Sequence, residues 1–375
     1  MANSVSATKS LVASCYCKAV QYTVEISTTK LPLPVNICHC SICRYTHGTL
    51  CIFHAVLPVG VIPKFIEPSS LSNLTGYIHD NAQSERYFCT TCGCHIGDRG
   101  LNPSESEDTG PNSEWIVATS LFSEHGEETF QIRTHCFTEG SNGGKGLFTW
   151  LPKMSDRDMK FWNPGPDDGW WSYGREEKLP EKEFDEEGNE VLRAECHCGG
   201  VSFTIPRPTS PAVKDDSFVS QWISPKDPNK WMACLDVCDD CRLHCGTHVV
   251  GWTFVPRAQI QPPMPQSLVP YGTMKTYVSS KGVLRGFCGK CGATVIFSCD
   301  DRNPNSEQQI IDVSVGILRA PEGILAENWL TWRTGRIGWL EDGEKFDPVF
   351  AKSLAEGMKD WSLKTYGDAW NFNIQ

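Results

Sequence analysis

The chain has 375 residues, 40% apolar and 21% charged, with 19 cysteines and a formal net charge of −11. This length accommodates two or three domains, and the composition is that of a folded soluble protein. The acidic balance and the lack of a Lys/Arg cluster exclude the basic stripe of a nucleic-acid surface, and no run of eighteen apolar residues occurs, so neither a nucleic-acid nor a membrane partner is expected.

Residues 1–10 are polar and lack the apolar centre of a secretory signal, so a cytoplasmic location is expected. In a reducing compartment, closely spaced cysteines indicate metal binding or catalysis rather than disulfides. An odd number of them also leaves a thiol unpaired in any all-disulfide scheme.

The first unit spans residues 11–152 and opens with Cys15-Tyr-Cys17. Val20, Tyr22, Val24 and Ile26 alternate with other residues as in a half-buried strand. Cys38-His-Cys40-Ser-Ile-Cys43-Arg44 follows, then strand-like residues 51–57, then Arg86-Tyr-Phe88-Cys89-Thr-Thr-Cys92-Gly93 and strand-like residues 115–121. Residues 155–191 read as an acidic, Trp-containing linker. Its rings Phe161, Trp162, Trp170 and Trp171 are expected to pack on one unit or between two.

The second unit spans residues 192–346 and opens with Cys196-His-Cys198. Val201, Phe203 and Ile205 alternate as before, and residues 208–230 read as an insertion. Asp236-Val-Cys238-Asp-Asp-Cys241-Arg242 and strand-like residues 248–255 come next. Arg285-Gly-Phe287-Cys288-Gly-Lys-Cys291-Gly292 precedes strand-like residues 294–298 and 310–318. The tail, 347–375, holds one amphipathic helix over 349–363. Arg44, Gly48, Thr49 and Pro58 recur 198 positions later at Arg242, Gly246, Thr247 and Pro256, and Cys89 and Cys92 recur 199 positions later at Cys288 and Cys291. This register reads as a tandem duplication. Alternating strand–helix units are absent, so each unit reads as a small, mainly antiparallel β domain.

The cysteine spacing assigns chemistry. Cys15, Cys17, Cys89 and Cys92 supply four thiolates on two short knuckles, as do Cys196, Cys198, Cys288 and Cys291, which suits closed tetrahedral zinc sites that staple a fold. Cys38, Cys40 and Cys43 supply three thiolates within six residues. Either the fourth position is open to water or a substrate thiol, or a residue such as His47, Cys51 or Cys94 closes it. In the second unit Asp236 replaces the first cysteine, making a harder donor set with Cys238 and Cys241, and Cys234 or Cys245 lies near enough in sequence to assist. Arg44 and Arg242 could each hold a substrate carboxylate or a structural ion pair, and His39 could move a proton or simply be exposed.

In combination, these motifs resemble the glutathione-dependent formaldehyde-activating enzyme family, whose domain is shared with centromere protein V. The resemblance runs through both units. It implies two tandem Mss4-like β-tent zinc domains, mainly β, followed by the C-terminal helix. It also implies structural zinc on the outer four cysteines of each unit and catalytic zinc on Cys38, Cys40 and Cys43. The implied activity is that of a carbon–sulfur lyase joining glutathione, or a similar thiol, to formaldehyde or another small electrophile. Three or four zinc ions per chain are expected, with Arg44 as a candidate glutathione contact. The alternative is a non-catalytic zinc-stabilised scaffold that binds another protein. Nothing in the sequence selects an oligomeric state.

Overall fold

In the computed structural model, which describes residues 7–101, 114–139, 142–165, 167–168, 179–305 and 307–374, the alternating stretches become strands with one buried face. The first half runs β1 (Thr8–Ser14), β2 (Gln21–Ser27), β3 (Leu33–Cys38), α1 (Ser41–His47), β4 (Ile52–Val56), β5 (Lys64–Phe65), β6 (Leu74–Tyr77), β7 (Ser84–Cys89), β8 (His95–Gly100), β9 (Trp115–Ala118), β10 (Phe130–Cys136), α2 (Leu147–Trp150), β11 (Lys153–Met154), β12 (Arg157–Asp158) and β13 (Lys160–Trp162). Tyr22, Val24 and Ile26 are fully buried while the residues between them are half-buried, as period-two alternation requires.

The second half runs β14 (Glu183–Phe184), β15 (Glu190–Glu195), β16 (Ser202–Pro206), α3 (Pro211–Lys214), β17 (Trp231–Asp236), α4 (Asp239–Cys245), β18 (Val250–Pro256), β19 (Met274–Ser280), β20 (Val283–Cys288), β21 (Thr294–Cys299), β22 (Ile310–Ser314), β23 (Leu330–Trp332), α5 (Leu340–Phe346) and α6 (Pro348–Tyr366). The fold is thus mainly β, with several sheets and few helices. No helix among the described residues is long and apolar enough to cross a membrane.

Each half has a small sheet, β1-β2-β5 or β14-β15-β16, and a large one. The large sheets share an order: β10-β3-β4-β9-β8-β7-β6 in the first half and β23-β17-β18-β22-β21-β20-β19 in the second. In both, the last strand returns to pair in parallel with the strand that leads into the short helix, β10 with β3 and β23 with β17. The strand-like stretches 115–121 and 310–318 are strands only at their beginnings. Each closes in a single 3-10 turn, Thr119–Leu121 or Val315–Ile317, at which the chain leaves the sheet.

The halves meet through contacts that come in exchanged pairs. Tyr16 N donates to Leu243 O at 3.3 Å, and His197 N donates to Tyr45 O at 3.0 Å. Tyr77 Oη lies 2.8 Å from His197 Nδ1, while Tyr277 packs edge-on against Tyr16 at 6.3 Å. Gly48 and Gly246 end α1 and α4 in the left-handed region, with φ of 73° and 66°. A Cβ on Gly48 would strike the Thr294 carbonyl, and one on Gly246 the His95 carbonyl, so glycine is required there for backbone conformation and close approach alike. Phe88 and Phe287 meet at 6.4 Å across the same seam. One contiguous core holds residues from both halves.

Helix α6 covers the stretch expected to be helical. Asp347 caps it, with Oδ1 accepting from Phe350 N at 2.9 Å, and Pro348 occupies its first turn. Its buried stripe is Phe350, Ala351, Leu354 and Met358. Phe350 packs on Phe53 and on His248, at 5.3 Å in each case, so the helix touches both halves.

The stretch expected to be linker carries structure at both ends. β13 joins the first large sheet beside β10, and β14 joins β15. Phe161 and Trp162 pack on the first half; Trp170 and Trp171 lie outside the described residues.

Candidate metal centres and active site

Cys15 and Cys17 lie on the turn after β1, Cys89 ends β7, and Cys92 lies on the turn that follows. Their Sγ atoms all lie within 4.8 Å of one another, with Cys15–Cys17 at 3.5 Å and Cys17–Cys89 at 3.6 Å. Cys196, Cys198, Cys288 and Cys291 form the matching cluster, with Cys196–Cys198 at 3.6 Å and Cys198–Cys288 at 3.5 Å. A tetrahedral ion with metal–sulfur bonds of about 2.3 Å holds its sulfurs about 3.8 Å apart, so both donor sets fit zinc. Backbone N–H groups support the sulfur charge: Val201 N donates to Cys196 Sγ at 3.3 Å, and Cys291 N to Cys288 Sγ at 3.4 Å. Contact with Cys15 lowers the Cys89 pKa and raises that of Cys92, and Cys196 does the same to Cys288 and Cys291. Four packed thiols cannot all ionise without a cation between them.

The central cluster of the first half stands where β3 turns into α1. Cys38 ends the strand, Cys40 caps the helix, and Cys40 Sγ accepts from Cys43 N at 3.3 Å. The three sulfurs lie within 4.8 Å of one another, and among the described residues no fourth His, Cys, Asp or Glu completes the set. Contact with Cys38 and Cys43 holds the Cys40 thiol well below its ordinary range, and contact with Cys40 holds Cys38 well above it. Arg86, at the head of the Arg-x-Phe-Cys motif, adds attraction for negative charge on Cys40 and Cys43.

Cys38 and Cys43 form one end of a cavity of about 640 Å³, within the range of small-molecule sites. Its polar wall carries His54 from β4, Arg86 from β7 and Asp98 from β8, and its rim carries Lys160, Phe161 and Trp162 from β13. Arg86 and Asp98 are cross-strand partners, and both are buried. Burial raises the Asp98 carboxyl above the usual carboxylate range, and Arg86 partly offsets this. Sequence reasoning nominated none of His54, Asp98 or Lys160.

The second half holds Asp236, Cys238 and Cys241 within 4.8 Å, and Cys238 Sγ again accepts from the helix, at 3.2 Å from Cys241 N. Arg285 is the counterpart of Arg86 and reaches Cys241 Sγ at 3.6 Å. The space in front differs. At the offsets that relate the cysteine motifs, His54 becomes Trp252, Val56 becomes Phe254 and Asp98 becomes Phe297. Trp222, from the stretch read as an insertion, packs 4.9 Å from Phe254. Arg302 lies 5.2 Å from the Trp222 and Phe254 rings and pairs with buried Asp312 at 2.5 Å. Aromatic side chains and an ion pair therefore occupy the region that is cavity in the first half.

Several sequence candidates stand away from the cavity. Arg44 is buried and stacks on Tyr45 at 4.6 Å, in the helix that meets the second half, and does not line the cavity wall. Arg242 pairs with Asp239 at 2.8 Å and covers the Phe346 ring at 3.7 Å. His39 is 1% exposed rather than solvent-facing. Its Nε2 lies 2.9 Å from His135 Nδ1, and burial holds its pKa far below the ordinary histidine value. His47 stacks on His95 at 3.7 Å, and Cys51 and Cys94 are buried outside the central cluster. Cys234 lies in β17, and burial raises the Cys245 thiol to about 12; neither joins the Asp236 set.

Residues 10–140 match the family described as glutathione-dependent formaldehyde-activating enzyme. The match takes in most of β1, β2 to β10, both cysteine clusters of the first half and most of its cavity wall, and ends before β13. No curated protein matches the chain.

Proposed function

We propose that the chain is a zinc-dependent carbon–sulfur lyase that adds glutathione, or a similar thiol, to formaldehyde or another small electrophile in the first-half cavity. The observation that carries this reading is the three-cysteine cluster opening onto a cavity that also presents buried Arg86 and Asp98. On this reading both halves are copies of the matched domain, each with a structural zinc on its outer four cysteines. Cys38, Cys40 and Cys43 would hold the catalytic ion, whose contribution when bound is to draw the proton from a ligating thiol and keep the sulfur nucleophilic.

The other steps belong to the protein. Arg86 stabilises thiolate charge beside Cys43. Lys160 at the rim offers a cation to a carboxylate of the thiol substrate, the role first considered for Arg44, and Phe161 and Trp162 keep water from one side. The new sulfur–carbon bond forms as the carbonyl π bond opens. The oxygen takes a proton from Asp98, whose carboxyl is kept protonatable by burial, and the proton lost by the thiol restores Asp98. His54 lines the same wall and can relay between them.

The filled region before Asp236, Cys238 and Cys241 favours a scaffold role for the second half, supporting the first without reacting. Exchange NMR on glutathione and formaldehyde with full-length protein tests the proposal. The expected result is interconversion with the S-hydroxymethyl adduct faster than the uncatalysed exchange, lost in Cys43→Ser. Exchange at the uncatalysed rate would leave the protein-binding scaffold as the better reading for the whole chain.

A further inference from the structure

Away from both cysteine clusters, three metal-binding side chains converge from three parts of the chain. His125 lies in the first-half loop before β10, His248 in the second half between α4 and β18, and Asp347 at the cap of α6. Their candidate ligand atoms lie within 4.8 Å of one another. His125 Nδ1 stands 3.3 Å from Asp347 Oδ2, with side chains 1% and 9% exposed. An ion with ligands at about 2.0 Å in tetrahedral array would set an edge of about 3.3 Å.

The hydrogen bonding around the cluster leaves donors over. Thr119 Oγ1 donates to Phe53 O at 3.4 Å, which makes it the acceptor for His248 Nε2 at 3.0 Å. This places the His248 proton on Nε2 and a lone pair on Nδ1, an outer contact of the kind that orients metal-binding histidines. His248 Nδ1 and both ring nitrogens of His125 are buried without a hydrogen-bond partner. Asp347 uses Oδ1 to cap the helix, leaving Oδ2 facing His125.

An ion pair does not account for the arrangement. His125 Nδ1 lies 3.3 Å from Asp347 Oδ2 yet makes no hydrogen bond to it. Arg242, the nearby cation, is engaged by Asp239 and by the Ser120 carbonyl. Two neutral imidazoles and one carboxylate are a donor set for a divalent transition ion.

We propose that His125, His248 and Asp347 bind a divalent transition-metal ion of the zinc class, tying the two halves to the C-terminal helix. This site is separate from the thiolate clusters and stands whether or not the chain is a lyase. The ion would add a link at residues 125, 248 and 347 to the packing and the hydrogen bonds, Ser353 with Ser155 N and Ser362 with Thr334, that already hold α6.

The test is titration with Co²⁺ of the full-length protein, its thiolate clusters loaded with zinc and its more weakly held metal removed by dialysis against a mild chelator. The expected signal is one equivalent of visible d–d absorption without the near-ultraviolet thiolate-to-cobalt band. Asp347→Asn keeps a helix-capping side chain while removing the charge, and His248→Gln removes a ligand. Each should weaken Co²⁺ binding by at least roughly tenfold, the lower bound for losing even an outer-shell partner. Wild type lacking a thiolate-free band, or Asp347→Asn titrating like wild type, overturns the site. Should the variants fail to fold, anomalous scattering from wild-type crystals grown with Co²⁺ decides: a peak among the three side chains supports the site, and its absence overturns it.

Discussion

Cys38 and Asp236 hold the same place in strands of matching register: Cys38 lies opposite Ile52 across β3 and β4, and Asp236 opposite Val250 across β17 and β18. One ends at a cavity and the other at packed aromatic rings. Exchanging thiolate for carboxylate also makes the donor set harder. Thiol-dependent turnover is therefore expected to be abolished by Cys38→Ser or Cys43→Ser and largely kept in Asp236→Ala, as read by exchange NMR. Loss in Asp236→Ala with retention in Cys43→Ser would move the chemistry to the second half.

The outer clusters should govern folding. Cys89→Ser or Cys288→Ser removes a ligand from a closed site, and structural zinc supplies on the order of 10 kcal/mol in small zinc domains. Each variant should unfold its own half in thermal melts. Cys40→Ser should lower the melting temperature much less, because its cluster sits on an already stapled scaffold. Equal losses for all three would contradict the division of roles.

Metal content follows from the same division. Protein never exposed to chelator should carry three or four thiolate-held zinc ions, released by a thiol-modifying reagent and counted by elemental analysis. Finding one or none would defeat the architecture of closed and open sites.

Asp98→Asn should lower kcat by roughly 100-fold, the lower range for loss of a general acid, while KM for the thiol changes little. The amide keeps the shape of the carboxyl but cannot deliver its proton. If KM rose and kcat held, Asp98 would belong to substrate binding instead.

Acid should weaken the fold through His135. Its Nε2 donates to Leu151 O at 2.9 Å and its Nδ1 accepts from His39, and burial lowers its pKa from 6.5 to about 4. Above 6.5 neither state holds the extra proton, so this contribution is fully present. As pH falls from 6.5 towards 4 the unfolded chain gains a proton that the folded one refuses, so stability is lost by on the order of 3 kcal/mol. His135→Gln can keep both hydrogen bonds without titrating. Its urea midpoint should fall less than that of wild type across this window, and identical slopes would remove His135 from the account.

The two cysteine knuckles, the strand alternation at Tyr22, Val24 and Ile26, and the terminal helix were legible because their signals are local. The cavity was not. His54, Asp98 and Lys160 come together only when β4, β8 and β13 take their places in one sheet, and the parallel pairing of β13 with β10 leaves no periodic trace. A usable signal lay in the spacing of the cysteine motifs: the offsets that align them also align His54 with Trp252 and Asp98 with Phe297, polar residues against rings. The place of Arg44 beside the last cysteine of the motif does not fix its direction, which is towards Tyr45 and the seam. The histidines at 125 and 248 and the carboxylate at 347 have no motif spacing at all.

The exchanged contacts of the seam, Tyr16 to Leu243 and His197 to Tyr45, have a further consequence. In an assembly of identical subunits every substitution is imposed on both partners, and dilution separates them. Here a covalent connection fixes the stoichiometry and keeps each half at a high local concentration around the other. On the proposed reading, one half can then fill its space with Trp252, Phe254 and Phe297 and serve as a rigid support, while its neighbour keeps His54 and Asp98 lining a cavity.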